Sequence, residues 1–542
     1  MAITTVAPIN TRRRFIRRSV LTASIIQALW ASSLAMAQGQ TFTPAIEVTS
    51  HAYQLKGPQF DGTDKGAALD VVPSLAWRYQ GPRLNTRFDV NHQRVWYKDS
   101  QRSPFSLNEY TFNNQLTGFD RRVIWTMDAS RSHIVRGGGQ GSAVFRDKIT
   151  NIEGLSRTER YGTNLLLSNA RHREAQYSLN LSARKIESKR PEQDDLLGDI
   201  DNEELRASFN TSRAHQYGGV YWRGAANSAR TEREGRDKLI RDNAQLQIGF
   251  PLFARLALIT KGNYENNSIQ NSSFTNEFSS AGAGVEWHFG QASRFNVTYN
   301  TVLSDSEQSN FVAADFLLAP SRRTSLSGSW DKRYFGRTAQ LSGQYNLRFL
   351  SMRLSYVDQI NTRSFLEAEL VDLGLFVCPD GSSDIGDCVT LPGSDYQLSP
   401  GEQVQQFFDI ETGIREDVIL NRQGSFALGY QRNRLTSSLQ LSSSELRYVE
   451  TDRVDRRHTA SLENSVRLTP VSRVRMNIRA FDYTFGNTGR EDRSWLYELG
   501  WSRELSSFSE LSITARHSRR NSSNADFEYR ENRLSIGYQY RF

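Results

Sequence analysis

Two cysteines, eight histidines and a scatter of arginines are the residues of this 542-residue chain with the means to do chemistry. Cys378 and Cys388 bracket Pro379-Asp380-Gly381-Ser382-Ser383-Asp384-Ile385-Gly386-Asp387. In an oxidising compartment such a pair closes a small disulfide loop, worth roughly 2–3 kcal/mol on chain-entropy grounds. A zinc site would need more soft ligands, and no His is close. Asp380, Asp384 and Asp387 suit a hard cation such as calcium, but acidic loop residues are ordinarily just solvated. His92, His288, His458 and His517 fall in different segments, and no nucleophile motif accompanies them. Gly137-Gly138-Gly139-Gln140-Gly141 lacks the Lys-Ser/Thr that follows the glycines of a phosphate loop, and reads as a flexible connection. No catalytic residue, metal centre or cofactor is assigned. Arg87, Arg184, Arg206, Arg353 and Arg479 are more informative, because each occupies the polar phase of an alternating segment. Mixed with Asp, Glu, Ser, Asn and Gln, they would line a hydrated lumen able to hydrogen-bond sugars or steer anions. The plainer reading is that any water-filled interior needs such a lining.

The start of the chain sets the compartment. Arg12, Arg13, Arg14, Arg17 and Arg18 precede an apolar stretch from Val20 to Leu34, and Ala35-Met36-Ala37 supplies an A-x-A cleavage pattern through Ala35 and Ala37. Residues 1–37 are therefore expected to be a cleavable signal peptide. Thr11 to Arg17 also resembles a twin-arginine export motif. The general secretory route is favoured, because the mature chain looks built to cross unfolded. The whole chain has 67 Lys+Arg against 59 Asp+Glu and a net charge of +8; losing those five arginines leaves 62 against 59, or +3. No basic patch remains to call for nucleic acid. Beyond the leader there is no run of eighteen apolar residues, which excludes helical spans. Nine Trp, 21 Tyr and 29 Phe exclude a wholly disordered chain.

From Gln38 onward the pattern is alternation, a turn, and alternation again. Leu69, Val71, Leu75, Trp77 and Tyr79 alternate with Asp70, Ser74 and Arg78, and Ala281, Ala283, Val285, Trp287 and Phe289 do the same later. Trp495, Tyr497, Leu499 and Trp501 repeat it near the end. Soluble sandwich strands usually run about five or six residues, whereas these run about nine to twelve, the length a tilted strand needs to cross a bilayer. Links such as Gln80-Gly81-Pro82-Arg83, Pro251-Leu252-Phe253 and Thr469-Pro470-Val471-Ser472 are short. The alternate links, around 132–158, 187–201, 226–238, 265–277 and 361–418, are longer and polar. Short periplasmic turns and long extracellular loops give that asymmetry.

The last segment alternates Leu534, Ile536, Tyr538, Tyr540 and Phe542 with Ser535, Gly537, Gln539 and Arg541. Its end resembles the β-signal of outer-membrane barrels through Ser535, Gly537, Tyr540 and Phe542, which implies recognition by the barrel-assembly machinery. Pro320-Ser321-Arg322-Arg323-Thr324-Ser325-Leu326, Lys332-Arg333-Tyr334-Phe335-Gly336 and Leu354-Ser355-Tyr356 form a two-hairpin stretch. That stretch of about forty residues is similar to the outer-membrane β-barrels associated with PEP-CTERM/exosortase systems of exopolysaccharide-producing Gram-negative bacteria. The resemblance implies location and company, since that family has no established activity.

Within 361–418, Ser399-Pro400-Gly401-Glu402 has the capping-box form, and Val404, Phe407 and Phe408 follow at helical spacing, predicting a short amphipathic helix. The alternating segments count to about 24 strands, and a round barrel of that number would be roughly 45–50 Å across at about 4.8 Å spacing and about 40° tilt. Strands begin soon after the cleavage site, so no plug domain is expected, which argues against a siderophore-type transporter. Loop 361–418 is predicted to fold over or into the lumen and narrow it; the alternative is a loop lying outward over the rim.

The expected fold is all-β: a single transmembrane antiparallel barrel of about 24 strands (22–26) over residues 38–542, in the bacterial outer membrane. The expected function is a non-catalytic pore or structural component associated with exopolysaccharide or surface-protein export. A general solute porin, and a sealed barrel displaying adhesive or docking loops, are the alternatives. Expected partners are outer-membrane lipid and lipopolysaccharide, the assembly machinery, and polysaccharide or export components.

Overall fold

The computed structural model describes residues 39–542 apart from 59–62, 99–101, 136–147, 151–154, 170–173, 190–199, 215–217, 234–235, 270–274, 290–292, 305–308, 322, 334–335, 364–368, 380–388, 391–401, 412–416, 449–451 and 487. The expected leader, with Ala35 and Ala37, lies outside the described residues.

Twenty-four strands form one antiparallel sheet that closes on itself. Each pairs with its neighbours along the chain, beginning with Gln40–Lys56, Thr63–Gln80, Leu84–Lys98 and Phe105–Gly118. The first strand also pairs with the last, Tyr529–Arg541, in the register Ala45↔Arg541, Thr49↔Gly537 and Lys56↔Arg530. Closure leaves the sheet without an edge. Strand lengths run from 10 to 18 residues, enough for a tilted crossing with some projection beyond the bilayer.

The alternation is inverted relative to a water-soluble protein. On Thr275–Phe289, Val285 and Trp287 are 49% and 54% exposed while Glu286 between them is fully buried. On Glu491–Ser506, Trp495, Tyr497 and Leu499 face out, and Asp492, Ser494 and Leu496 are buried. Large apolar side chains on the convex face and polar ones on the concave face need lipid outside and water inside. The chain is an outer-membrane β-barrel.

Two expectations about the connections are corrected. The loop expected over 226–238 is mostly strand: Tyr221–Arg233 and Arg236–Pro251 run on until two residues separate them. Ala225, Ala226, Asn227 and Ser228 are small and polar enough to read as a loop, yet each is held by register pairs on both sides. The helix expected after Ser399 is instead the strand Glu402–Glu411, antiparallel to Glu369–Pro379. With Val389–Thr390 these form a separate three-stranded sheet between Leu350–Arg363 and Asp417–Arg432, which pair directly in the barrel. A helix of two or three turns is marginal alone, whereas a strand beside a β-rich partner satisfies its backbone groups at once.

Candidate functional site

The candidate site is the lumen, whose inner wall is built by the residues opposite in phase to the exposed aromatics. Arg87, Arg184, Arg206, Arg353 and Arg479 all lie in this phase. Arg87 pairs with Asp89 at 2.6 Å. Arg184 stands opposite Glu204 in the register, and Glu204 also meets Arg206 at 3.0 Å and Arg241 at 3.3 Å. Arg353 lies between Gln344 and Ala427 on its neighbouring strands. Arg479 reaches Glu463 at 3.2 Å and Asn477 at 3.3 Å. Only Arg184 and Arg206 come together; the other three occupy separate sectors.

At the extracellular mouth, the connection between Val123–Val135 and Leu155–Ser168 brings Lys148, Ile149 and Thr150 against the inner wall. Ile149 is buried among Tyr53, Leu55, Ala68, Val95 and Tyr529, with Tyr97, Phe105 and Phe481 packed beside them. Tyr97 Oη donates to the Ile149 carbonyl at 2.6 Å, and Arg102 Nη1 does so at 3.3 Å. Lys148 Nζ donates to Glu109 Oε1 at 2.5 Å, and the His133 backbone N–H donates to the same oxygen at 2.8 Å. The narrowing expected of 361–418 falls largely outside the described residues, and the seating of Lys148–Thr150 at the mouth went unforeseen. An isolated Ile in a polar 132–158 stretch carries no periodic signal, whereas the inward Tyr53, Leu55, Val95 and Tyr97 were apolar residues in a phase that should be polar.

Nearer the periplasmic turns, Glu286 is fully buried and accepts from Tyr221 Oη at 2.6 Å, Arg223 Nη2 at 2.6 Å, Asn296 Nδ2 at 3.1 Å and Gln247 Nε2 at 3.2 Å. His288 Nε2 lies 2.9 Å from Oε1, the oxygen that Tyr221 also reaches, while Arg223, Asn296 and Gln247 share Oε2. Tyr221 reaches Glu286 from three strands away because Gly249 lets its ring lie flat on the wall: a Cβ there would stand 2.0 Å from Tyr221 Cζ. Gly249→Val is expected to lift Tyr221 off Glu286 and destabilise the barrel by about 1–3 kcal/mol, read as a lower urea midpoint.

The wall then turns a sharp corner. Lys261, on Leu256–Ile269, meets Asp331, on Thr324–Arg333, at 2.5 Å, and Arg333 bridges to Glu265 at the same distance, although three strands intervene. Strands in a round barrel that far apart would leave these groups well beyond contact. Gly282 and Gly284 permit the bend, since a Cβ on Gly284 would stand 1.9 Å from the Val297 carbonyl oxygen. Inside the corner Thr298 and Asn300 are buried, so the lumen is narrower here than a circle of 24 strands implies.

The extracellular connections are tied together. Asp455 accepts from Arg453 Nη2 at 2.6 Å, the Gly486 N–H at 2.9 Å, Tyr448 Oη at 3.1 Å and Tyr483 Oη at 3.3 Å. Arg490 is sandwiched between Phe485 and Phe527 at 4.0 and 3.8 Å. Burial pushes its guanidinium below the usual value, while Asp492 pulls it back up.

The residues expected to form the assembly signal sit on the closing strand. Ser535 Oγ is 2.8 Å from His51 Nδ1, and a Cβ on Gly537 would meet Ser512 Oγ at 2.7 Å. Tyr540 and Phe542 pack edge to face, and the Phe542 N–H donates to Pro44 O at 2.9 Å. Cys378 lies on Glu369–Pro379; Cys388 and Asp380, Asp384 and Asp387 lie outside the described residues, as do Gly137 to Gly141. His92 and His517 are taken up by Asn108 and Asn532 on adjacent strands. Among the described residues no group of three or more His, Cys, Asp or Glu is placed to hold a metal ion.

No protein-family model matches the chain, and no curated protein sequence does. Among solved structures it is similar to the siderophore receptor PirA from Acinetobacter baumannii, with 9% identity over 92% of this chain and 80% of that one and a TM-score of 0.43. The FrpB iron transporter from Neisseria meningitidis gives 11% identity over 93% and 83% with a TM-score of 0.41. A BenF-like porin from Pseudomonas fluorescens gives 10% over 92% and 99% with a TM-score of 0.31.

Proposed function

We propose that this outer-membrane barrel is a non-catalytic conduit for polar solutes, entered from outside past the mouth that Lys148–Thr150 narrows. The polar, ion-paired concave wall carries this reading, because a closed sheet whose inner face is charged gains nothing from that charge unless water or a polar solute fills it. The resemblance of residues 320–356 to export-associated barrels extends the proposal to exopolysaccharide or surface-protein export. A barrel sealed at its mouth and acting through its loops is the second reading, favoured by the apolar cluster around Ile149.

Planar bilayers separate the two. A stable single-channel conductance is expected, and its absence would leave the sealed barrel. Deleting 364–416 is expected to raise that conductance if the excursion covers the mouth; an unchanged value would remove it from the pathway. Disruption of the gene, followed by assay of secreted polysaccharide, tests the export component, which fails if secretion is unchanged.

A further inference from the structure

On the outward face, where the first and last strands meet, three cations stand in one register row. Arg519 on Ser509–Ser522 is opposite Arg530, and Arg530 is opposite Lys56. All three are exposed. Lys65 and Lys98, also exposed and outward, extend the patch across the next two strands. Arg519 Nε donates to Asn521 Oδ1 at 2.7 Å, a neutral partner. None of the five makes an ion pair with a described residue, whereas Arg493 close by is held by Asp482 at 3.3 Å. Glu491 stands two rows nearer the loops, opposite Ser523. Like charges directly opposite on neighbouring strands destabilise a sheet, and here the chain sets two such pairs side by side at its closure.

Depth identifies what would neutralise them. In the same row Trp495 faces out, and the rows below carry Tyr497, Leu499, Leu534 and Ile536 on the lipid-facing wall. The patch therefore lies at the upper margin of the apolar belt, at the level of outer-leaflet headgroups, with long side chains able to rise toward them. Being outward, it is closed to any solute in the lumen. Arginine forks match phosphate oxygens in pairs, and lysines add charge around them.

We propose that Arg519, Arg530 and Lys56, flanked by Lys65 and Lys98, bind the phosphate groups of an outer-leaflet glycolipid and so brace the closing seam. The site is independent of whether the lumen conducts. The full barrel in detergent, mixed with lipid A carrying or lacking its phosphates, is the test, with retained lipid read by native mass spectrometry. Phosphorylated lipid A is expected to be retained. The variant combining Lys56→Gln, Arg519→Gln and Arg530→Gln should weaken retention by at least about tenfold, given the attraction each surface cation adds for anionic lipid. Arg530→Lys should keep most of it, and Arg337→Gln, at an outward position elsewhere on the wall, all of it. Equal retention of dephosphorylated lipid A, or inorganic phosphate competing as strongly as the lipid, would overturn the assignment.

Stability in lipid-free detergent gives a second readout of opposite sign. If the row is an unneutralised anion site, Arg530→Gln raises the unfolding temperature by relieving repulsion while lowering lipid retention. A lowered unfolding temperature with unchanged retention would make Arg530 a structural residue and end the proposal.

Discussion

Replacing Ile149 by Asp is expected to raise single-channel conductance several-fold. The side chain sits among Tyr53, Leu55, Ala68, Val95 and Tyr529, where a carboxylate would have no cation of its own. Lys148 is already committed to Glu109 and Arg102 to Asp64. Leaving a charge uncompensated in such a setting costs about 3–5 kcal/mol. Two hydrogen bonds to the Ile149 carbonyl, at about 0.5–1.5 kcal/mol each, are too little to hold the segment in place. It should leave the wall and open the mouth. The barrel itself should persist, because no strand of the closed sheet depends on residue 149 for pairing. Lys148→Glu is expected to act in the same direction by setting a second carboxylate against Glu109. Unchanged conductance in both variants would mean that the segment does not limit the passage.

The second large effect is expected at Glu286. Glu286→Leu removes the acceptor shared by Tyr221, Arg223, Gln247 and Asn296, and leaves Arg223 facing Arg294 without the anion between them. A loss of about 2–4 kcal/mol is expected, below the figure for a fully enclosed pair because Arg223 keeps some solvent. The urea midpoint of the folded barrel measures it. Glu286→Gln should lose less, since the amide oxygen still accepts from Tyr221. If both variants unfold at the wild-type midpoint, the cluster is ornamental to stability.

Much of the architecture was legible because a barrel writes its fold locally. Every second residue from Leu69 to Tyr79, or from Trp495 to Trp501, had to be apolar to meet lipid, and each turn punctuates that period. The inward phase of Arg87, Arg184, Arg206, Arg353 and Arg479 follows from the same count. What the period could not show is anything made across the lumen. The pairing of Lys261 with Asp331 depends on a bend three strands wide, and the seating of Ile149 depends on partners as far away in sequence as Tyr53 and Tyr529. Gly282 and Gly284 hinted at the bend, as adjacent inward glycines in an otherwise regular strand, but their neighbours are known only once the strands are aligned. Val404, Phe407 and Phe408 misled because their i, i+3, i+4 spacing fits one face of a helix, while the partner that makes them a strand, Glu369–Pro379, lies some way back along the chain.

The closure register has a kinetic side. Twenty-three of the pairings in the closed sheet join strands adjacent in the barrel order along the chain, and one, Gln40–Lys56 with Tyr529–Arg541, joins its two ends. Loop-closure entropy grows only with the logarithm of length, so that last pairing is slow mainly because it must wait for the others to curve the sheet into place. Hairpins can form and extend in any order, but none of them commits the molecule. A substitution in Tyr529–Arg541 should therefore leave the early rates alone and change the final one, making the thirteen residues of that strand the clock of assembly.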